Sequence, residues 1–135
     1  MSELSKLRLT VYPNGLASFL VDNNAEIKTA NYLIVTTTDS GKTFASTLDG
    51  IVYTLPAIAI GNTITFMNMA EDGQAALNIS PNASDAITYA GTEVDDKDLI
   101  NTKATAKKGD YVTLASLDGV LSWQVVDARG VWAKE

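Results

Sequence analysis

The sequence predicts an all-β chain, folded as a β-sandwich or jelly-roll-like barrel of short antiparallel strands with an N-terminal hairpin or arm. Three observations carry this. Apolar residues alternate with polar ones at the two-residue period of a half-buried strand, as Leu7, Leu9 and Val11 do with Arg8 and Thr10. Turn residues cut these runs at the intervals of an all-β domain. Helical periodicity is nearly absent, its best stretches being 57–60 and 95–101, each a single turn at most.

In chain order, Tyr12-Pro13-Asn14-Gly15 turns the first strand back, because Pro presets φ while Asn and Gly tolerate positive φ. Phe19 and Val21 share one face of the returning segment, and Asp22-Asn23-Asn24 closes it. The chain thus divides into a hairpin or arm, residues 1–30, and a β domain, residues 31–135. Tyr32-Leu33-Ile34-Val35 is a strand that runs into the polar stretch 36–42. Tyr53-Thr54-Leu55 stops at Pro56, which has no N–H to give a ladder. Ile64 and Phe66 share a face opposite Thr63, Thr65 and Met67. Glu71-Asp72-Gly73 turns the chain into a strand over 75–79 that Pro81 ends. Val112 and Leu114 alternate with Tyr111 and Thr113, as Leu121, Trp123 and Val125 do with Ser122 and Gln124. Leu117-Asp118-Gly119 joins these two strands, since Asp-Gly suits the backbone twist of a tight hairpin.

Composition narrows the function. With 135 residues, 46% hydrophobic and 19% charged, the chain has material for one domain with a sizeable core. The net charge of −6 and the scattered Lys and Arg, with Lys107-Lys108 the one basic pair, exclude a nucleic-acid partner. There is no cysteine and no histidine, so thiol nucleophiles, disulfides, the commonest general base and the commonest zinc ligand are missing together. No stretch approaches the roughly 20 apolar residues of a membrane-spanning helix. The N-terminus lacks a basic start followed by an apolar run, so no secretory signal is read there. The composition predicts a non-enzymatic protein without cofactor or membrane partner.

Several motifs invite a sharper reading. Ser40-Gly41-Lys42-Thr43 ends like a phosphate-binding loop, but Thr36 stands where the first glycine belongs and no helix-like segment follows, so it is read as a loop between strands. Glu93, Asp95, Asp96 and Asp98 form the densest carboxylate group; hard cations favour such oxygens, yet the spacing is not that of an EF-hand and a solvated acidic loop is expected. A glycosidase pair among them is disfavoured, since nothing sets one carboxyl pKa apart from another. Trp123, Trp132, Tyr53, Tyr89 and Tyr111 could line a sugar-binding face, but such residues more often fill a core; Trp123 is assigned to the core and Trp132 stands as a candidate interface residue. Asn78-Ile79-Ser80 and Asn82-Ala83-Ser84 match a glycosylation pattern that has no meaning without secretion.

The order Gly41-Lys42-Thr43-Phe44, Leu55-Pro56, Gly61 to Phe66, Gly109-Asp110-Tyr111-Val112-Thr113-Leu114, Trp123-Gln124-Val125 and Gly130-Val131-Trp132 resembles small β-rich virion proteins of tailed bacteriophages. These serve as head decoration (cement) proteins and as domains of head or tail fibres. The resemblance covers about residues 30–135 and rests on turn and core positions. It implies a homo-oligomer, most often a trimer, bound to the major capsid protein on the outer capsid surface of a virion. The chain begins with Met1 and ends at Glu135 with no room for a fibre shaft, which favours decoration over a fibre. A carbohydrate-binding module is the alternative from another class. The N-terminal segment, with Leu4, Leu7, Leu9, Val11 and Phe19, is the expected capsid contact, because it places an apolar face outside the resembled domain.

Overall fold

In the computed structural model, the residues described are 7–11, 17–21, 25–117 and 122–135, with backbone alone for 7–21 and for Thr36 and Thr37. Thirteen strands follow one another: β1 (Leu7–Val11), β2 (Ala17–Val21), β3 (Ala25–Ile27), β4 (Tyr32–Leu33), β5 (Thr43–Ser46), β6 (Ile51–Thr54), β7 (Thr63–Asn68), β8 (Leu77–Ser80), β9 (Ala86–Thr88), β10 (Leu99–Asn101), β11 (Asp110–Ala115), β12 (Ser122–Arg129) and β13 (Trp132–Lys134). A single helical turn, α1 (Thr36–Asp39), precedes β5. The all-β expectation holds. The helical turns expected at 57–60 and 95–101 do not form: the first is a bend, and the second is a turn at Asp95-Asp96 followed by β10. Helical turns fall instead within the polar stretch 36–42 and, as a 3-10 turn, at Lys103–Thr105.

Strands β1 and β2 pair as a separate antiparallel ribbon, the hairpin that Pro13-Asn14-Gly15 predicts. The rest forms a six-stranded sheet, β3-β5-β7-β11-β12-β9, and a five-stranded sheet, β13-β10-β8-β6-β4. Strand β3 belongs to the six-stranded sheet although it precedes residue 30.

The wiring corrects the expectation of purely antiparallel strands. From β3 to β11 the chain changes sheet at every connection. Successive strands of one sheet therefore run the same way: β3 with β5 and β5 with β7 in the larger sheet, β4 with β6 and β6 with β8 in the smaller. The physical reason is that short turns carry the chain across the gap between sheets rather than back along one sheet. From β10 onward the ladders are antiparallel, β10 with β8 and β13, β11 with β7 and β12. Strand β9 alone in this half pairs parallel, with β12.

One core lies between the two sheets. Phe44 and Phe66 enter it from the larger sheet and Tyr53 from the smaller, with Tyr53 5.0 Å from Phe66 and 5.8 Å from Phe44 between ring centroids. Ile64, Val112, Leu114 and Trp123 face Ile51, Leu77, Ile79, Leu99 and Trp132, all buried. Each such side chain contributes about 1.5–3 kcal/mol by leaving water. The alternation read from the sequence for Ile64/Phe66, Val112/Leu114 and Trp123 thus selects core residues correctly.

A polar bridge spans this core near one end. Asn68 of β7 donates to Asn101 Oδ1 of β10 at 2.8 Å, and Asn101 donates to Asp110 Oδ2 of β11 at 3.2 Å. Asn101 also donates to the Val131 carbonyl and Asn68 to that of Ala75, so the buried amides are satisfied. Gly130 sits at φ +102° with the Asp110 carboxylate where a Cβ would lie, so any other residue there collides with the bridge.

Candidate interaction surface

The strand register sorts the loops onto two ends. Segments 34–42, 55–62, 81–85 and 94–98, with Ser116-Leu117 and Glu135, lie at the end where β5, β7, β9 and β12 begin. Segments 28–31, 47–50, 69–76, 102–109 and 130–131 meet at the other. Strands β4 to β10 carry no charged residue at all, so charge is placed almost entirely by the loops.

The second end is ionic and wet. Lys103 pairs with Asp49 at 2.7 Å, Lys108 with Glu71 at 2.9 Å and Lys107 with Asp72 at 3.4 Å, all on exposed side chains. The Asp49 carboxyl is held below its ordinary value by the Ala76 amide and then by Lys103; the Lys108 amide does the same for Asp72. Such pairs add solubility more than stability.

The first end exposes charge at Asp95, Asp96 and Glu135, with the Asp96 amide donating to the Asp85 carbonyl at 2.9 Å. A second set of ionisable residues there, Asp39, Lys42 and Asp85, is buried. Asp85 accepts the Ile58 amide at 2.9 Å and so holds the 55–62 loop against the 81–85 loop. Asp39 Oδ2 accepts the Tyr32 hydroxyl and the Val35 amide, both at 2.8 Å. Lys42 Nζ lies 2.7 Å from Glu26 Oε2 and 3.3 Å from Asp39 Oδ1. Burial alone would raise the Asp39 pKa, but the Val35 amide, the Tyr32 hydroxyl and Lys42 outweigh it and hold the carboxyl below its ordinary value. Burial, with the Asp39 hydrogen bond, pushes Tyr32 up to about 12. Lys28 closes the flank, its Nζ 3.8 Å from the Tyr32 ring centroid.

This end also exposes apolar side chains: Ile60 is 71% exposed, Leu117 62% and Val35 43%. Ile60 and Leu117 are neighbours, because the Gly61 amide donates to the Ser116 carbonyl at 2.9 Å and the Ser116 amide to that of Asn62 at 2.9 Å. Single exposed apolar residues are ordinary; this adjoining pair is the candidate interaction surface. Sequence reading missed these three. The available signal was Pro56-Ala57-Ile58-Ala59-Ile60, an apolar run with no polar residue to alternate with and so no buried face to fill.

The predicted site residues fall into three groups. Leu4 lies outside the described residues. Leu7, Leu9, Val11 and Phe19 lie in the ribbon, where Leu7 is opposite Val21, Leu9 opposite Phe19 and Val11 opposite Ala17. Every second rung of that ladder therefore pairs two apolar residues, and only residues 22–24 separate Val21 from Ala25, the start of β3. Trp132 is buried in the chain's own core and donates its indole N–H to the Arg129 carbonyl at 3.0 Å, leaving little surface to offer a partner.

The remaining motifs resolve by geometry. Lys42 turns inward to its carboxylates, with β5 and not a helix following it, so it offers no ammonium to a phosphate. Glu93 accepts from Ser122 Oγ at 2.8 Å and Thr88 Oγ1 at 2.5 Å, apart from Asp95 and Asp96 at their exposed turn. Among the described residues no three acidic groups stand close enough to hold a metal ion. Tyr53 and Trp123 are buried, and Tyr111 is half-buried with its hydroxyl on Asp127 at 3.0 Å. No described helix is long and apolar enough to cross a membrane. No protein-family model matches the chain, and neither does any curated protein.

Proposed function

We propose that this chain is a capsid decoration (cement) protein of a tailed bacteriophage, acting by binding and not by catalysis. In this reading the two sheets form a β-sandwich, and the protein is a homotrimer on the outer surface of the virion. Its partner is the major capsid protein, whose neighbouring subunits it bridges to stabilise the head. The virion setting comes from the sequence resemblance. The observation that supports the binding role is the adjoining pair Ile60 and Leu117, 71% and 62% exposed, at the end where the chain passes from the ribbon into β3. Exposed apolar side chains meet a protein surface with little desolvation cost, while the ion pairs of the other end keep many copies soluble. Binding only to the assembled shell is what turns many weak contacts into stability.

Quantitative mass spectrometry of purified virions tests this directly. Hundreds of copies in a simple ratio to the major capsid protein support decoration. A handful, in multiples of three or six, assign the chain to a tail or fibre, and absence from virions sinks the reading. Removal of residues 1–24 is expected to abolish shell binding; unchanged binding would remove the ribbon from the mechanism. A carbohydrate-binding module is less well supported, because Tyr53, Trp123 and Trp132 are committed to the core.

A further inference from the structure

Strand β12 is longer than its neighbours cover. Its eight residues pair with β11 along one side, but on the other β9 pairs with Ser122, Trp123 and Gln124 alone. From Val125 to Arg129 that outer side has no strand beside it among the described residues, and residues 126–131 are all exposed. The backbone there points outward as well. The Thr65 amide donates to the Lys42 carbonyl, on the β5 side of β7, and the Ser116 amide to the Asn62 carbonyl, on the β7 side of β11. Ladder bonds alternate along a strand, so Leu114 and Val112 bond toward β7 and Thr113 and Tyr111 toward β12. Asp127 and Arg129, the partners of Thr113 and Tyr111, thus bond to β11, and the N–H and C=O of Ala128 between them face the open edge. An open edge is a template for a further strand, and its side chains decide which strand fits. A row of like charges would repel a second copy in every register. Here Asp127 and Arg129 flank Ala128 with opposite charges, both on the face turned from the core. The Tyr111 hydroxyl holds Asp127 Oδ2 at 3.0 Å, while Arg129 has no carboxylate partner of its own among the described residues.

We propose that β12 pairs with β12 of a second copy, antiparallel about a two-fold axis at Ala128, so that the six-stranded sheets of the two copies become one. A two-fold pairing centred on Asp127 or on Arg129 sets a charge against its own kind. Centred on Ala128, it sets Asp127 of each copy opposite Arg129 of the other, forming two cross-strand ion pairs. The same register brings Val126 opposite Gly130 and Val125 opposite Val131, covering Val126 and Val131, which are 51% and 54% exposed in the single chain. The contact is isologous. It joins chains in twos, or trimers in twos where the chain is a trimer, and needs no virion, so it fails or holds apart from the decoration reading.

The test is light scattering on the full chain at micromolar concentration, with circular dichroism to follow folding. The wild type is expected to hold an even number of copies. Asp127→Arg and Arg129→Asp, each of which sets like charges across the axis, are expected to halve that number. Mixed in equal amounts, the two variants should recover the wild-type mass, because every arginine then faces an aspartate. A wild type of odd copy number, variants as large as the wild type, or a mixture that stays at half size would each overturn the proposal. Should a variant fail to fold, the cysteine-free sequence allows a second measurement. Oxidised Ala128→Cys chains should link into disulfide pairs, since the central rung holds their Cα atoms about 5.5 Å apart. Val131→Cys chains should not, because that residue and its copy lie roughly 20 Å apart along the strands. Equal linking at the two positions would overturn the pairing.

Discussion

Two clusters of this molecule handle charge in different ways. At one end, Lys103, Lys107 and Lys108 meet their carboxylates in water. At the other, buried Asp39 and Lys42 join half-buried Glu26, flanked by Tyr32 and Lys28. The difference teaches that ionisable residues can be satisfied from within the fold as well as by water. A buried charge that loses its partner is costly, whereas a solvated pair is nearly dispensable.

The largest effect should come from breaking the internal cluster. Asp39→Ala leaves the Val35 amide and the Tyr32 hydroxyl without their acceptor and is expected to cost about 3 kcal/mol in urea unfolding. A loss no larger than that of an exposed pair would erase the contrast between the ends. Next comes Gly130→Ala, which drives a methyl into the Asp110 carboxylate at a positive φ and should cost about 2 kcal/mol.

A pH series sharpens the comparison further. Because the Asp39 carboxyl lies below its ordinary value of 3.8, its stabilisation is complete above that pH and fades as pH falls through the folded value. The stability gap between the wild type and Asp39→Asn should therefore be flat near neutrality and narrow below about pH 4. A gap that persists unchanged in acid would mean that the carboxylate charge is not what the site uses.

The smallest effects belong to the surface. Ile60→Ser should alter monomer stability by no more than about 0.5 kcal/mol, since its side chain is mostly in water. Lys108→Ala should leave the thermal midpoint where it is in moderate salt, as screening already weakens the Glu71 pair. A clear loss at Ile60 would make it a packing residue and not a docking one.

Much of this arrangement was legible in the sequence, for identifiable reasons. Pro13-Asn14-Gly15 predicts a local reversal, and the strands on either side of it pair as a ladder. Period-two alternation marks Phe66, Val112 and Trp123 as inward because a strand's two faces differ in solvent. The change of sheet at each connection was not legible, since a strand alternates identically whether its neighbour is parallel or antiparallel. Lys42 was read as part of a loop between strands, and its inward turn was not legible because its partner Glu26 is sixteen residues away, beyond any local pattern. The exposed pair was missed for a related reason: Ile60 and Leu117 lie far apart in the chain and meet only through the topology.

That topology also bears on how the chain is made. A strand of the first half finds its neighbour two strands back, already synthesised, so β5 can join β3, β6 can join β4, and so on through β8. A nascent chain can thus lay down one coil upon the last in the order of its emergence, with no hairpin waiting for its second arm. Strand β9 differs, because its partner β12 comes later, and β10 to β13 then close both sheets over the finished coil. Synthesis and folding can proceed in step up to β9, which has to wait for β12, while β10 and β11 again find partners already made.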